Sequence, residues 1–303
     1  MSLPFDSSHP AIRLALKHAR LQAFTPMAVL LNVAAVVICA VVLNPSSKEV
    51  SDNFSTPFNP NPTALALYWL VTFVLLISYC LLLIVANKPE KQEMMVYGVG
   101  LCLVFVQCFM ALNIVAFTLK FFIASLVFTS LSLLFLVWIH LSLYMYPPHH
   151  SRPVEFILIH TPIRLLIVVT FLQELPQLLF IVLGWTYHAS KPDDHQKHAW
   201  QAVAFIVAFN MAGVLEVALR GDFVWAFAGT WIIIGQLIAR PKPAPVFAAD
   251  LIFTIVYPVL YVTLFVWRHL SGGGRIALPI DEEEAEISRA RAAVAVRNGQ
   301  SRQ

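Results

Sequence analysis

Charge is what this sequence has least of. Only 12% of its 303 residues are Asp, Glu, Lys or Arg, against roughly 25% in soluble domains. Hydrophobic residues fill the space at 59% of the chain, with a mean hydropathy of +0.74. Apolar residues gather in runs of about twenty or more, which need lipid rather than a protein core as solvent. The chain is a polytopic membrane protein of the all-α class. Its net charge of +3 is too small to indicate nucleic acid.

Other absences narrow the function. The four cysteines, Cys39, Cys80, Cys102 and Cys108, lie within apolar runs and form no C-x-x-C pair, so they read as buried free thiols. No G-x-x-x-x-G-K-[ST] or H-E-x-x-H occurs, which removes a P-loop and a zincin-type metalloprotease. All eight lysines lie outside the apolar runs or at their ends, leaving none for a retinal Schiff base. No run carries arginine at every third position, which removes a voltage sensor. No metal site and no cofactor is expected. His140 and His160 should lie at similar depth, but one histidine pair without further signature does not make a haem site. His149, His150, His188, His195 and His198 read as loop histidines.

What is present divides into three parts: an N-terminal interfacial arm (1–20), a transmembrane bundle (21–267) and a polar tail (268–303). Eight spans are expected, at about 21–43, 63–86, 94–117, 121–146, 156–187, 200–219, 223–239 and 246–267. The fifth is too long for one straight crossing and contains Pro162 and Pro176, so it should be kinked or broken. Pro258 should bend the eighth. With the N-terminus inside, thirteen Lys and Arg fall on the inner side and six on the outer, so both termini are expected in the cytoplasm. Asn53-Phe54-Ser55 in the first outer loop is a glycosylation sequon, consistent with that orientation. The host membrane is expected to be an endomembrane or the plasma membrane.

Ionisable groups within lipid cost several kcal/mol, so each needs a reason. His160, Arg164 and Glu174 share the fifth span and fall within an arc of about 80° on an unbroken helix. Arg164 and Glu174 are about 15 Å apart along the axis, too far to pair directly. Pro176 should free the carbonyl of Leu172 beside them. Gln173, Gln177, Asn210 and Gln236 either line a site or hold helices together. Glu216 and Arg220 are four apart with the acid first, the favourable order for a helix pair. Asp250 is expected to cap its helix or pair with Arg240. Ala204, Ala208 and Ala212, beside Gly213, form a small-residue stripe suited to close packing.

Thr56-Pro-Phe-Asn-Pro-Asn-Pro62, followed by Leu67-Tyr-Trp-Leu-Val71, resembles a family of fungal multi-pass membrane proteins of unknown function. Its members are loosely labelled ATP synthase membrane components. The resemblance extends weakly to Arg220-Gly-Asp-Phe-Val-Trp225. It implies a multi-pass helical fold and brings no catalytic residues.

The first functional expectation is a small-molecule carrier or ligand-binding protein in the bilayer. Its site would be formed by His160, Arg164, Glu174, Gln177, Asn210 and Gln236, with Arg164 holding an anionic group and Glu174 coupling to a proton. The alternative is a membrane-embedded enzyme acting on a lipid or isoprenoid, with Glu174 as general acid. That enzyme would need Glu216 or Asp250 on the same cavity. A third possibility is an assembly protein, which needs no cavity.

Overall fold

The computed structural model describes residues 10–86, 88–146, 156–187, 196–240 and 242–271. The acidic C-terminal tail and the loop histidines His149, His150, His188 and His195 lie outside them. The described residues are helical almost throughout, with one isolated antiparallel bridge between Ser55 and Tyr187. The helices are α1 (Pro10–Val37), α2 (Ser47–Asn53), α3 (Pro62–Val85), α4 (Pro89–Glu93), α5 (Cys102–Thr118), α6 (Phe122–Ser142), α7 (Phe156–Val182), α8 (Ala199–Arg220), α9 (Phe223–Ile238) and α10 (Ala244–Ser271).

Local chemistry sets several boundaries. Ser46 and Glu49 close a capping box at the start of α2. Asn61 accepts from the N–H groups of Thr63 and Ala64, with Pro62 as the first residue of α3. Asp222 caps α9 by accepting from Val224 N at 2.9 Å and Trp225 N at 3.3 Å. Helix α1 runs unbroken from Pro10 through the basic stretch of Arg13, Lys17 and Arg20 into the first apolar run.

All eight expected apolar segments form helix, but not all as straight crossings. Among the described residues, six helices are long and apolar enough to cross a bilayer, and a bent pair makes up to seven. That pair, Lys91–Val99 and Cys102–Thr118, bends by 49°. Gly100 sits at the break with φ +58°, a conformation that favours a residue without a Cβ. The seventh segment, α9, has 16 residues, or about 24 Å of rise, short of a hydrocarbon core of about 30 Å.

Helix α7 is the centre of the bundle. Its apolar window is 67% buried, whereas those of the other long helices are 22–33% buried. It packs against α3, α6 and α9. The expected break takes a specific form. Two π-helical turns, Phe156–His160 and Thr170–Glu174, each give way to an α-helical stretch with proline near its start, Pro162 and Pro176. A proline ring clashes with the carbonyl four residues back and offers it no N–H. A wider turn accommodates both defects without ending the helix. The Leu172 carbonyl opposite Pro176 instead accepts from Gln236 Nε2 at 3.4 Å.

Lipid supplies little hydrophobic drive for helix association, so close packing and interhelical hydrogen bonds carry the bundle. Asn32 Nδ2 donates to Gln107 Oε1 at 2.7 Å, joining α1 to α5. Tyr68 donates to the Leu165 carbonyl at 2.7 Å, joining α3 to α7. Trp231 Nε1 donates to the Ala64 carbonyl at 3.0 Å. The Ala204, Ala208 and Ala212 stripe does not pack within the chain. All three are exposed, because the inward face of α8 is formed by Ala202, Ile206, Asn210, Gly213 and Val217. All four cysteines are free, with Cys39 and Cys80 buried and Cys102 and Cys108 partly so.

Two compact units are distinguished, Met1–Tyr261 and Val262–Gln303. The described part of the second is the end of α10, where the rings of Phe265 and His269 stack at 6.2 Å. Within the first, Tyr257 is fully buried and its hydroxyl lies 3.3 Å from the Asn210 carbonyl. A Cβ at Gly213 would overlap that hydroxyl. Gly213→Ala is therefore expected to destabilise the detergent-solubilised protein by about 1–3 kcal/mol through overpacking. Adding Tyr257→Phe should recover part of the loss in a thermal unfolding assay. Equal stability of wild type and Gly213→Ala would show that α8 and α10 are not so closely packed.

Candidate functional site

The ionisable residues within the bundle separate into three places. The first lies where α6 and α8 end and α7 and α9 begin. Arg164 Nη1 meets Asp222 Oδ2 at 3.0 Å, with 14% and 2% of their side chains exposed. Asp222 thus neutralises Arg164 with one oxygen and caps α9 with the other. Beside this pair, Glu216 Oε1 accepts from the Tyr144 hydroxyl at 3.0 Å and meets Arg220 Nε at 3.0 Å. His140 Nε2 lies 3.1 Å from the same oxygen and is also bonded to the Tyr144 hydroxyl. The Arg220 guanidinium stacks over the Tyr144 ring at 3.2 Å. His160 is buried, stacked on Phe156, with Nε2 lacking a hydrogen-bond partner. Trp225 Nε1 is likewise buried and unpartnered, with its ring 6.5 Å from His140.

The second place is the far half of α7. Gln236 Nε2 donates to Gln173 Oε1 at 2.8 Å. Gln173 Nε2 donates to the Phe58 carbonyl at 2.8 Å and to Gln177 Oε1 at 3.0 Å. Gln177 Nε2 donates to Asn59 Oδ1 at 3.2 Å, and Asn59 Nδ2 in turn donates to Ser51. This amide chain runs from the core to the connection between α2 and α3. Glu174 lies next to it in sequence but outside it. Its Oε2 is buried without a hydrogen-bond partner, although the residue as a whole is only partly buried.

The third place is the start of α10, where Lys242 and Asp250 form a buried ion pair. Burial pulls the Lys242 ammonium below its ordinary range, and the Asp250 carboxylate opposes that shift. Asp250 was expected to pair with Arg240 or cap its helix. Arg240 instead lies over the Phe247 ring at 4.6 Å.

Of the six residues expected to line one site, Gln177 and Gln236 are joined through Gln173, and Glu174 is adjacent. His160 and Arg164 belong to the other half of α7. Asn210 joins neither group: it donates to the Ile206 carbonyl of its own helix and lies 3.4 Å from the Tyr257 hydroxyl. The 80° arc assumed a regular α-helix, and the π turn at Thr170–Glu174 changes the angular step between Arg164 and Glu174. Sequence reasoning missed Asp222, Tyr144 and Trp225 as members of the first group. A cap signal was available for Asp222, immediately after Gly221 and before an apolar run, but its pairing with Arg164 joins residues 58 positions apart. No group of three or more His, Cys, Asp and Glu able to hold a metal ion occurs among the described residues.

These features define a helical integral membrane protein with polar groups buried along and around one central helix. The sequence matches the model of the TSPO-like protein family over residues 22–267, and the chain belongs to that family. No curated protein and no solved structure gives a significant match.

Breaking a buried ion pair by neutralising one partner costs about 3–5 kcal/mol, because the other charge is left uncompensated. Asp222→Asn keeps an oxygen for the α9 cap and removes the charge facing Arg164. It is expected to lower thermal stability in detergent by an amount in that range. A loss under about 1 kcal/mol, the scale of an exposed pair, would show that Asp222 acts only as a cap.

Proposed function

We propose that this protein binds, and in doing so carries, a small molecule within the bilayer, using polar groups on α7. The observation that carries the reading is the coincidence of the two π turns with unpartnered ionisable groups. Each turn ends on such a residue, His160 in the first and Glu174 in the second, and each has a buried side-chain atom without a hydrogen-bond partner. Buried polar atoms are normally paired, and exceptions need an explanation. π turns within α-helices recur at functional sites. Membership of the TSPO-like family supports a membrane protein with ligand binding.

The lipid- or isoprenoid-modifying enzyme is less well supported. It requires a second carboxyl beside Glu174, whereas Glu216 is bonded to His140, Tyr144 and Arg220, and Asp250 to Lys242.

The test is extraction of the purified protein from lipid nanodiscs and mass spectrometry of the small molecules that co-purify. Wild type is expected to retain a compound in near-stoichiometric amount that His160→Asn or Glu174→Gln loses. Identical extracts from wild type and both folded variants would remove the reading. Orientation has its own test. Asn53 is exposed at the end of α2, so expression through secretory membranes should add a glycan that Asn53→Gln abolishes. A protein without that glycan would place this loop on the cytoplasmic side.

A further inference from the structure

Glu174 differs from Glu216, Asp222 and Asp250. Glu216 has Arg220, Asp222 has Arg164 and Asp250 has Lys242, each at ion-pair distance. Among the described residues Glu174 has no ion pair and no hydrogen bond at Oε2. An uncompensated charge in low dielectric is costly, so this carboxyl requires either a proton or a cationic partner.

Its surroundings favour the cation. Thr170, one turn earlier in the same π turn, is fully buried, and its Oγ1 has no hydrogen-bond partner. Helical Thr72, Thr118, Thr230 and Thr254 each donate to the carbonyl four residues back, at 2.7–2.9 Å. Thr170 does not. Across the interface, Tyr68 on α3 reaches α7 between Leu165 and Thr170. Its hydroxyl proton is committed to the Leu165 carbonyl, which leaves the phenolic oxygen as an acceptor. A carboxylate, a hydroxyl and a phenol thus offer acceptors along α7, and an ammonium carries three N–H donors. An anion would face Glu174 directly, and a neutral polar group would leave its charge uncancelled. The side chain of Glu174 is only partly buried, so its carboxyl can be approached from outside the packed core.

We propose that Glu174, Thr170 and Tyr68 form a binding site for an organic cation, a protonated primary amine on an apolar body. This rests on the ligand-binding reading above and names the class of ligand. The test uses wild-type protein in phosphatidylcholine nanodiscs, so the folding of variants does not enter. Dicyclohexylcarbodiimide, which partitions into lipid and modifies carboxyl groups there, labels Glu174, and the adduct is quantified by peptide mass spectrometry. Labelling is the sum of that adduct and of the octylamide which the amine forms by displacing the activated carboxyl, and it is measured with octylamine, with octanol and with neither. Octylamine should suppress total labelling at Glu174 at least about tenfold, the equivalent of about 1.4 kcal/mol, while octanol at the same concentration leaves it unchanged.

Equal suppression by octylamine and octanol would overturn the cation assignment and leave the ligand-binding reading standing. Suppression by neither would also overturn it, since a carboxyl held only by a proton would label regardless of the amine. The broader reading fails separately, on identical extracts in the co-purification experiment.

Discussion

Inside a bilayer, no water relieves a polar group that the fold leaves unpaired, and this constraint shapes the bundle around α7. The helix carries two prolines, and each removes a backbone donor where solvent cannot replace it. Widening the helix into a π turn before each proline keeps the chain continuous, and the Leu172 carbonyl is satisfied by Gln236 from α9. The adjustment extends beyond the backbone. It rotates the side chains that follow, separating Arg164 from Glu174 in direction as well as in height. It also places Thr170 and Glu174 on a turn where neither has a hydrogen-bond partner for the atom it buries.

The two halves of α7 resolve the cost of polarity differently. At the His160 end, charges cancel in pairs: Arg164 with Asp222, and Arg220 with Glu216. The second carboxylate also gathers His140 and Tyr144, so three side chains, from α6, the turn after it and α8, converge at one oxygen of Glu216. At the other end, neutral amides replace charge. Gln236, Gln173, Gln177 and Asn59 form a relay that fastens α9 to α7 and α7 to the connection before α3. Amide pairs avoid the desolvation penalty of ions. Glu174 stands beside this relay as the exception, and its lack of a counter-ion is what gives this flank a functional reading.

Small residues contribute in a way that composition alone does not reveal. On α8 the alanines at every fourth position suggested a packing seam, yet Ala204, Ala208 and Ala212 face outward. The seam is offset around the helix, where Gly213 admits the Tyr257 ring and hydroxyl. Spacing of small residues identifies a face, whereas its burial depends on which neighbour supplies a large side chain to fill the space.

By itself, the sequence determined the class of protein, the positions of its apolar helices and the irregularity of the fifth, because hydropathy and proline act locally. It also determined the Glu216–Arg220 pair, which lies within one helical turn. The tertiary structure decided which charges are cancelled. Arg164 and Asp222, His140 and Glu216, and Gln173 and Gln236 are each more than fifty residues apart, and no periodicity within a helix encodes such pairings. Whether Asp250 would take Arg240 or Lys242, and whether α9 would make a full-length span, also depended on contacts between segments. Glu174 was legible as an unusual residue from its place in an apolar run. That, among the described residues, it would lack the counter-ion that Glu216, Asp222 and Asp250 each find emerged only from the contacts between segments.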